Sequence, residues 1–90
     1  MPTEREILLV NYIKLENSLS ASENPNKVML EMDELRGRLN SIFKTSNDKR
    51  WKLAYSHFVC GLSLTKCAEK YYYSRGGVGK IINHYRHKAR

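Results

Sequence analysis

The sequence predicts an all-α protein, with an N-terminal helical hairpin followed by three further helices. Apolar residues recur at spacings of three and four along two long segments, which is the pattern of an amphipathic helix. Polar breaks rich in Ser, Asn and Asp separate the segments. No stretch alternates apolar and polar residues over the length of a β-strand. With 90 residues, of which 41% are apolar, the chain has the material for one small domain.

The first helix is predicted to begin at Thr3 and to end in the segment 20–27, SASENPNK, where Pro25 disfavours continuation. Its apolar stripe is formed by Leu8, Tyr12, Leu15 and Leu19, and is widened by Ile7, Leu9, Val10 and Ile13.

The second helix is predicted to begin near Asn26 and to carry one apolar seam with the a/d spacing of two heptads. The seam consists of Val28, Met32, Leu35, Leu39 and Ile42. Two helices joined by a short turn fold back as a hairpin, here residues 1–44. The apolar stripe of the first helix is too wide for the second helix to cover alone. The remainder packs either on the C-terminal helices of the same chain or on the hairpin of another copy, and the second arrangement would make a homodimer or higher oligomer.

Residues 45–90 are predicted to form three helices, packed with the hairpin as one compact domain. The polar break TSND, Thr45–Asp48, supplies N-cap residues for a helix that reaches about Cys60 with Trp51, Tyr55, Phe58 and Val59 on one side, and Gly61 ends it. Ser63 caps a short helix through about Tyr72, and Ser74 caps a last one through about Lys88.

The net charge of +7 is concentrated in one half of the chain. Residues 1–44 carry six Lys/Arg and seven Asp/Glu, whereas residues 45–90 carry ten and two, a net charge of +8. Basic side chains that neutralise phosphates release condensed counterions, so this imbalance favours a polyanionic partner, with a merely solvated basic surface as the alternative.

Two short helices with a tight turn between them, the second basic, indicate a helix-turn-helix that binds double-stranded DNA. Ala68 is the small residue expected at the helix crossing, and Val78, Ile81, Ile82 and Tyr85 form the inner face of the last helix. Arg75 and Lys80 are suited to donate hydrogen bonds to guanine, and Asn83 is suited to pair with adenine. The other lysines and arginines are expected to contact phosphates. The predicted DNA-binding residues are Lys66, Lys70, Ser74, Arg75, Gly76, Gly79, Lys80, Asn83, His84, Arg86, His87 and Lys88, with Thr65 and Arg90 as further phosphate contacts.

The turn departs from the usual helix-turn-helix pattern, because Tyr72 stands where glycine is common. Since a left-handed backbone is unfavourable for tyrosine, we expect a turn of different shape or one residue longer. Gly76, Gly77 and Gly79 weaken the start of the last helix. We expect them to allow close approach to DNA, to let the turn become ordered only on binding, or to serve the turn geometry.

Other functions lack their residues. A phosphate loop would need Gly at Ser74 and Ser or Thr at Ile81, and the spacings of Cys60, Cys67, His84 and His87 do not fit a zinc finger. Both cysteines are expected in the core. His57 lacks a nucleophile to activate, so we expect neither enzymatic activity nor a cofactor. No membrane span or secretory signal is indicated, and we expect a cytoplasmic protein.

From Leu35 to about Arg86 the chain resembles the PapB-type regulators of fimbrial operons and, more distantly, KorA-type plasmid repressors. The stretch from Leu39 to Ser74, LNSIFKTSNDKRWKLAYSHFVCGLSLTKCAEKYYYS, carries the resemblance. Sigma-factor region-4-like phage activators share a similar GLSLTxxAExxxxSRxxV pattern. The resemblance implies an all-helical regulator that binds operator DNA, often AT-rich, as an oligomer, with minor-groove and shape contacts.

Two alternatives to duplex DNA binding stay open at the level of sequence. The protein could be an interaction module that binds an acidic protein partner or another regulator. It could also bind single strands or RNA, for which the run Tyr71–Tyr73 offers rings that stack on unpaired bases.

Overall fold

The computed structural model describes residues 3–90, and in that range it contains five α-helices, one short 3-10 helix and no β-strand. The predicted all-α fold class is therefore confirmed. The helices are α1 (Glu4–Ser18), a 3-10 helix (Leu19–Ala21), α2 (Pro25–Thr45), α3 (Lys49–Phe58), α4 (Leu64–Tyr71) and α5 (Arg75–Lys88).

Each α-helix begins after a residue whose side chain accepts a hydrogen bond from the backbone N–H three positions later. Because the first N–H groups of a helix have no partner within it, such a side chain fixes where the helix starts. The caps at Ser63 and Ser74 are confirmed, and α2 begins one residue earlier than predicted, with Pro25 in its first turn. The five caps are Thr3, Asn24, Asp48, Ser63 and Ser74.

Helices α1 and α2 form the predicted hairpin. The end of α2 returns to the start of α1, so that Ile42 and Thr45 line the same hollow as Thr3 and Arg5. Farther along, the Arg36 guanidinium donates a hydrogen bond of 2.9 Å to the Tyr12 hydroxyl. The predicted seam of α2 is confirmed: Met32 and Leu39 are buried, and Val28, Leu35 and Ile42 are partly buried against the core.

The surplus apolar width of α1 packs against helices of the same chain. Leu9, Val10 and Ile13 are buried, and α1 contacts both α3 and α5. Among large apolar side chains of the hairpin, only Ile7, Met29 and Leu30 are exposed in the part of the chain that the structure describes.

The three C-terminal helices pack on one another and on the hairpin. Trp51 of α3 stacks on Tyr55, which stacks in turn on Phe43 of α2, with ring centroids 5.4 and 4.9 Å apart. Between α3 and α4, the buried hydroxyls of Ser56 and Tyr71 are hydrogen-bonded at 2.7 Å. The predicted inner face of α5 is confirmed, since Val78, Ile81, Ile82 and Tyr85 are all buried, and Ala68 is partly buried against the same core.

Two predictions about the connections are wrong. Cys60 is exposed rather than in the core, because α3 ends at Phe58 and Cys60 lies in the following turn; Cys67 is buried as predicted. Tyr72 adopts the left-handed backbone conformation that tyrosine is expected to avoid, with φ 60° and ψ 43°. The predicted glycine stop at Gly61 is confirmed by its φ of 79°.

Candidate nucleic-acid interface

Helices α4 and α5 are joined by three residues, Tyr72, Tyr73 and Ser74. The left-handed backbone at Tyr72 reverses the chain so that the Tyr73 N–H donates to the Ala68 carbonyl at 3.0 Å, which closes the end of α4. Ser74 then caps α5 by accepting from the Gly77 N–H at 3.1 Å. The turn therefore needs neither a different shape nor an extra residue, but it holds tyrosine in a conformation that costs about 1 to 2 kcal/mol.

The outer side of α5 presents the predicted contact residues to solvent. Burial of its inner face fixes the rotation of the helix, because side chains three and four positions apart lie on one side. Gly76, Lys80, Asn83 and His87 follow one another at this spacing along the outer side, and Gly79 is half-exposed. The exposed predicted residues are Lys66, Lys70, Ser74, Arg75, Gly76, Lys80, Asn83, His84, Arg86, His87 and Lys88, with Thr65 and Arg90.

Some of these residues lie on the flanks of α5 rather than on its outer side. The His84 imidazole approaches the Glu6 carboxylate of α1, with 3.0 Å between Nε2 and Oε1. Lys88 lines a hollow with Ile7 and Val10 of α1. The structure thus divides the predicted set into an outer row, from Gly76 to His87, and residues beside the hairpin.

Arg86 and Arg90 lie together at the far end of α5. They line one hollow with Glu16 of α1 and with His57 and Phe58 of α3. The His57 imidazole lies 2.8 Å from the Leu62 carbonyl through Nδ1, so this nitrogen donates its proton and holds the loop after α3. His57 is partly buried in this arrangement.

The lysines and arginines of residues 45–90 form no ion pairs within the described part of the chain. In residues 3–90 the ion pairs are Arg5 with Asp48 and His84 with Glu6. None of the ten lysines and arginines after residue 44 takes part in an ion pair with a carboxylate there. Their charges are available to an anionic partner, and no rearrangement of internal ion pairs would be needed to release them.

Two basic residues at the start of α3, Lys49 and Arg50, lie next to the predicted contact residues but are not among them. The Lys49 ammonium lies 5.6 Å from the ring centroid of Tyr72 and 5.1 Å from that of Tyr73. Arg50, its neighbour, lines a hollow with His84 and Tyr85 of α5. The basic pair after the Asp48 cap was visible in the sequence, but nothing local indicated that the start of α3 meets the α4–α5 turn.

The glycines of α5 differ in what surrounds them. A methyl group at Gly77 would lie 3.3 Å from Ser74 Oγ and 3.5 Å from Tyr73 Cδ1, so this glycine serves the turn. A methyl group at Gly76 or Gly79 would meet nothing within 4 Å. Packing within the chain therefore accounts for one of the three glycines and does not require the other two.

Several titratable groups with altered pKa values lie in the interior or at the α3 cap. Burial raises the pKa of Tyr85 to about 12 and also raises the pKa of the Cys67 thiol. At Asp48 burial opposes ionisation, but hydrogen bonds from the Trp51 N–H and from Arg5 prevail, and its pKa is lowered. Within residues 3–90, no three His, Cys, Asp or Glu side chains are grouped to hold a metal ion.

No helix within residues 3–90 combines the length and apolarity required to cross a membrane. Comparisons with protein-family models, with curated proteins and with solved structures found no match. The geometry and charge of this chain are therefore the indications of its function.

Proposed function

We propose that the protein binds double-stranded DNA through α5, with α4 and α5 acting as a helix-turn-helix in transcription regulation and without chemical catalysis. The observation that carries this proposal is the outer row of α5, where exposed polar and basic groups lie opposite a buried inner face, in a half of the chain whose ten basic residues form no ion pairs within residues 3–90. An α-helix of this diameter fits the major groove of B-DNA.

The outer row and the first residue of α5 supply the groups that read base edges. Lys80 and Arg75 donate to guanine O6 and N7, and the Asn83 amide pairs with adenine N6 and N7. These three residues are exposed along one helix, so they reach bases without a change of fold.

Phosphate contacts come from the ends of the helices and from the flanks. The exposed Lys66 and Lys70 of α4, with Arg86 and Lys88 of α5, supply charge to the two backbone strands. The N-termini of α4 and α5, at Thr65 and Ser74, add backbone dipoles of the sign that attracts phosphate.

The exposed glycines support close approach of the α5 backbone to DNA. Each glycine weakens a helix by roughly 0.5 to 1 kcal/mol relative to alanine. Gly76 and Gly79 face open space, so the chain gains no packing in return. The missing side chains leave room for the sugar-phosphate surface or the groove floor, which agrees with the shape contacts implied by the resemblance to PapB-type regulators.

The experiment is a fluorescence-anisotropy titration of random and AT-rich duplexes at 50 and 200 mM salt. Contact with about six phosphates lowers the affinity by roughly three decades over this range. Lys80→Ala is expected to weaken binding about tenfold. The matched control is Lys27→Ala, which removes the same charge from an exposed site on α2, a helix that does not contact α5 within the described residues.

Two results would contradict the proposal: duplex binding without a salt dependence, or an equal loss of affinity in both lysine variants. Competition with single-stranded DNA and RNA distinguishes the alternative substrates, because a single-strand binder is displaced by them at lower concentration than by duplex. Saturable binding of an acidic protein with a weak salt dependence would favour the interaction module.

Oligomerisation through the hairpin stays a prediction. Met29 and Leu30 are adjacent exposed apolar residues of α2. If a second copy covers them, Leu30→Glu is expected to convert a dimer to a monomer because it places a charge in an apolar interface. Light scattering at several protein concentrations measures the mass, and a monomeric wild-type protein would refute the prediction.

A further inference from the structure

Tyr72 is the feature of the α4–α5 turn that the proposed function leaves without a role. Its side chain is 89% exposed, and in residues 3–90 it is the one residue other than glycine with a positive φ. The other left-handed position, at the end of α3, is occupied by Gly61. Glycine at position 72 would adopt the same backbone without strain.

Packing within the chain does not account for this tyrosine. Tyr71 before it is buried and hydrogen-bonded to Ser56, and Tyr73 after it is partly buried against the core. The hydroxyl of Tyr72, in contrast, has no hydrogen-bond partner in the described part of the chain, and almost none of its ring is covered. A strained residue whose side chain projects into solvent indicates a role outside the fold.

A cation from another helix lies at the same place. The Lys49 ammonium lies close to both the Tyr72 and the Tyr73 ring, so the first residue of α3 and the α4–α5 turn form one surface feature. The adjacent Asp48 does not neutralise it, because one carboxylate oxygen accepts from Arg5 and the other from the Trp51 N–H.

The chemistry of this pair matches a phosphodiester. An ammonium group and a phenolic hydroxyl are both hydrogen-bond donors, and phosphate oxygens are acceptors that carry charge. Tyr72 stands two residues before Ser74, the N-cap of α5, and the Lys49 ammonium lies beside its ring. When a helix lies in a groove, the residues at its end meet the backbone strand that borders the groove.

We propose that Tyr72 and Lys49 form a phosphate clamp, which binds the sugar-phosphate backbone of duplex DNA beside the N-terminus of α5. The clamp rests on the proposed duplex binding by α5 and adds contacts that the helix-turn-helix residues do not include. Tyr72 donates its hydroxyl to one phosphate, and Lys49 supplies the charge.

The experiment compares folding and binding in the same variants. Tyr72→Gly is expected to raise the melting temperature by about 3 to 6 °C, because it relieves the left-handed strain at the cost of a more flexible unfolded chain. The same variant is expected to bind duplex DNA about fivefold more weakly. Opposite effects on stability and affinity cannot result from partial unfolding.

Two further variants separate the hydroxyl from the charge. Tyr72→Phe keeps the ring and the backbone, so its melting temperature should stay within about 1 °C of wild type while its affinity falls about threefold. Lys49→Gln should lower the slope of log affinity against log salt by about 0.9, the value for one phosphate. Lys27→Gln on α2 is the control and should leave the slope unchanged.

The outcomes distinguish the clamp from the function on which it rests. If Lys80→Ala weakens binding but Tyr72→Gly and Lys49→Gln bind as wild type, the clamp is refuted and duplex binding by α5 stands. If Tyr72→Phe binds as tightly as wild type, the hydroxyl contact is refuted. If the wild-type protein shows no salt-dependent duplex binding, both proposals fall together.

Discussion

The hairpin and the C-terminal helices are built by the same means but present different surfaces. Both use side-chain caps to start their helices, and both bury an apolar face in a shared core. Residues 1–44 carry a net charge of −1 and expose Ile7, Met29 and Leu30, whereas residues 45–90 carry +8 and expose lysines and arginines together with Leu64 and Tyr72. The folding pattern is common to both halves, so any difference in function must reside in what each half turns outward.

The side-chain hydrogen bonds between the hairpin and the C-terminal helices of the described chain lie at the start of α1. The Arg5 guanidinium pairs with Asp48 at 3.0 Å, and the Arg5 carbonyl accepts a hydrogen bond of 2.8 Å from the Trp51 indole. Glu6, the next residue, meets His84 on α5. The hairpin is therefore attached to both the first and the last helix of the basic half.

The largest expected effect tests whether the halves fold as one unit. Leu9 is fully buried on α1, which contacts α2, α3 and α5. Leu9→Ala is expected to lower the free energy of unfolding by about 2 to 5 kcal/mol through loss of burial and a residual cavity. Urea unfolding followed by far-UV circular dichroism and by Trp51 fluorescence should give coincident transitions. Separate transitions would show that the hairpin and the C-terminal helices are independent.

A smaller effect is confined to the C-terminal helices. Ser56→Ala leaves the buried Tyr71 hydroxyl without its 2.7 Å partner, and we expect a loss of about 1 to 3 kcal/mol. Adding Tyr71→Phe removes the second polar group, so the double variant should be less destabilised than the sum of the single variants. Thermal unfolding of all four proteins measures this coupling. Additive losses would mean that the hydroxyls do not interact.

The junction between the halves is expected to contribute about 1 kcal/mol at its cap. Asp48→Ala removes the N-cap of α3 and the partner of Arg5, whereas Asp48→Asn retains the cap and removes the charge. Because the folded-state pKa of Asp48 is lowered, its contribution is complete above the unfolded pKa of about 3.9 and is lost as the pH falls through the folded value. Unfolding measured from pH 5 to pH 2 should be less pH-dependent in Asp48→Asn than in wild type.

The smallest expected effect makes the most direct comparison of the two surfaces. Gly37 on α2 and Gly79 on α5 are both helical, and a methyl group at either would meet nothing within 4 Å. Alanine at each position should stabilise the protein by about 0.5 to 1 kcal/mol. Only Gly79→Ala should also weaken duplex binding, because its methyl group occupies the space next to DNA. Equal affinities in the two variants would remove the proposed reason for the glycines of α5.

Much of the fold was readable from local signals. Ser63, Ser74 and the break at Thr45–Asp48 mark helix starts because their side chains satisfy backbone groups a few residues away. The seam of α2 and the inner face of α5 follow from helical periodicity alone. Each of these predictions depends on residues that are neighbours in sequence.

The errors arise where distant parts of the chain decide the outcome. Tyr72 was judged by the intrinsic strain of its backbone, but the closure of α4 onto Ala68 and the burial of the two adjacent tyrosines hold it there. Cys60 was expected in the core because the buried side of the third helix was extended to it, but α3 ends at Phe58.

Membership of the candidate site also depends on contacts between residues that are distant in sequence. Lys49 joins it only through packing of α3 against the turn, and His84 is drawn to the flank by Glu6, a residue 78 positions away. No local pattern contains either contact.

The caps also bear on how the chain reaches its structure. Each helix start is determined by a hydrogen bond between residues three positions apart. The five helices can therefore begin to form before residues distant in sequence come into contact. Helical proteins with many local contacts reach the native state in microseconds to milliseconds. A refolding phase of seconds that becomes faster at higher protein concentration would therefore indicate association between copies as the slow step.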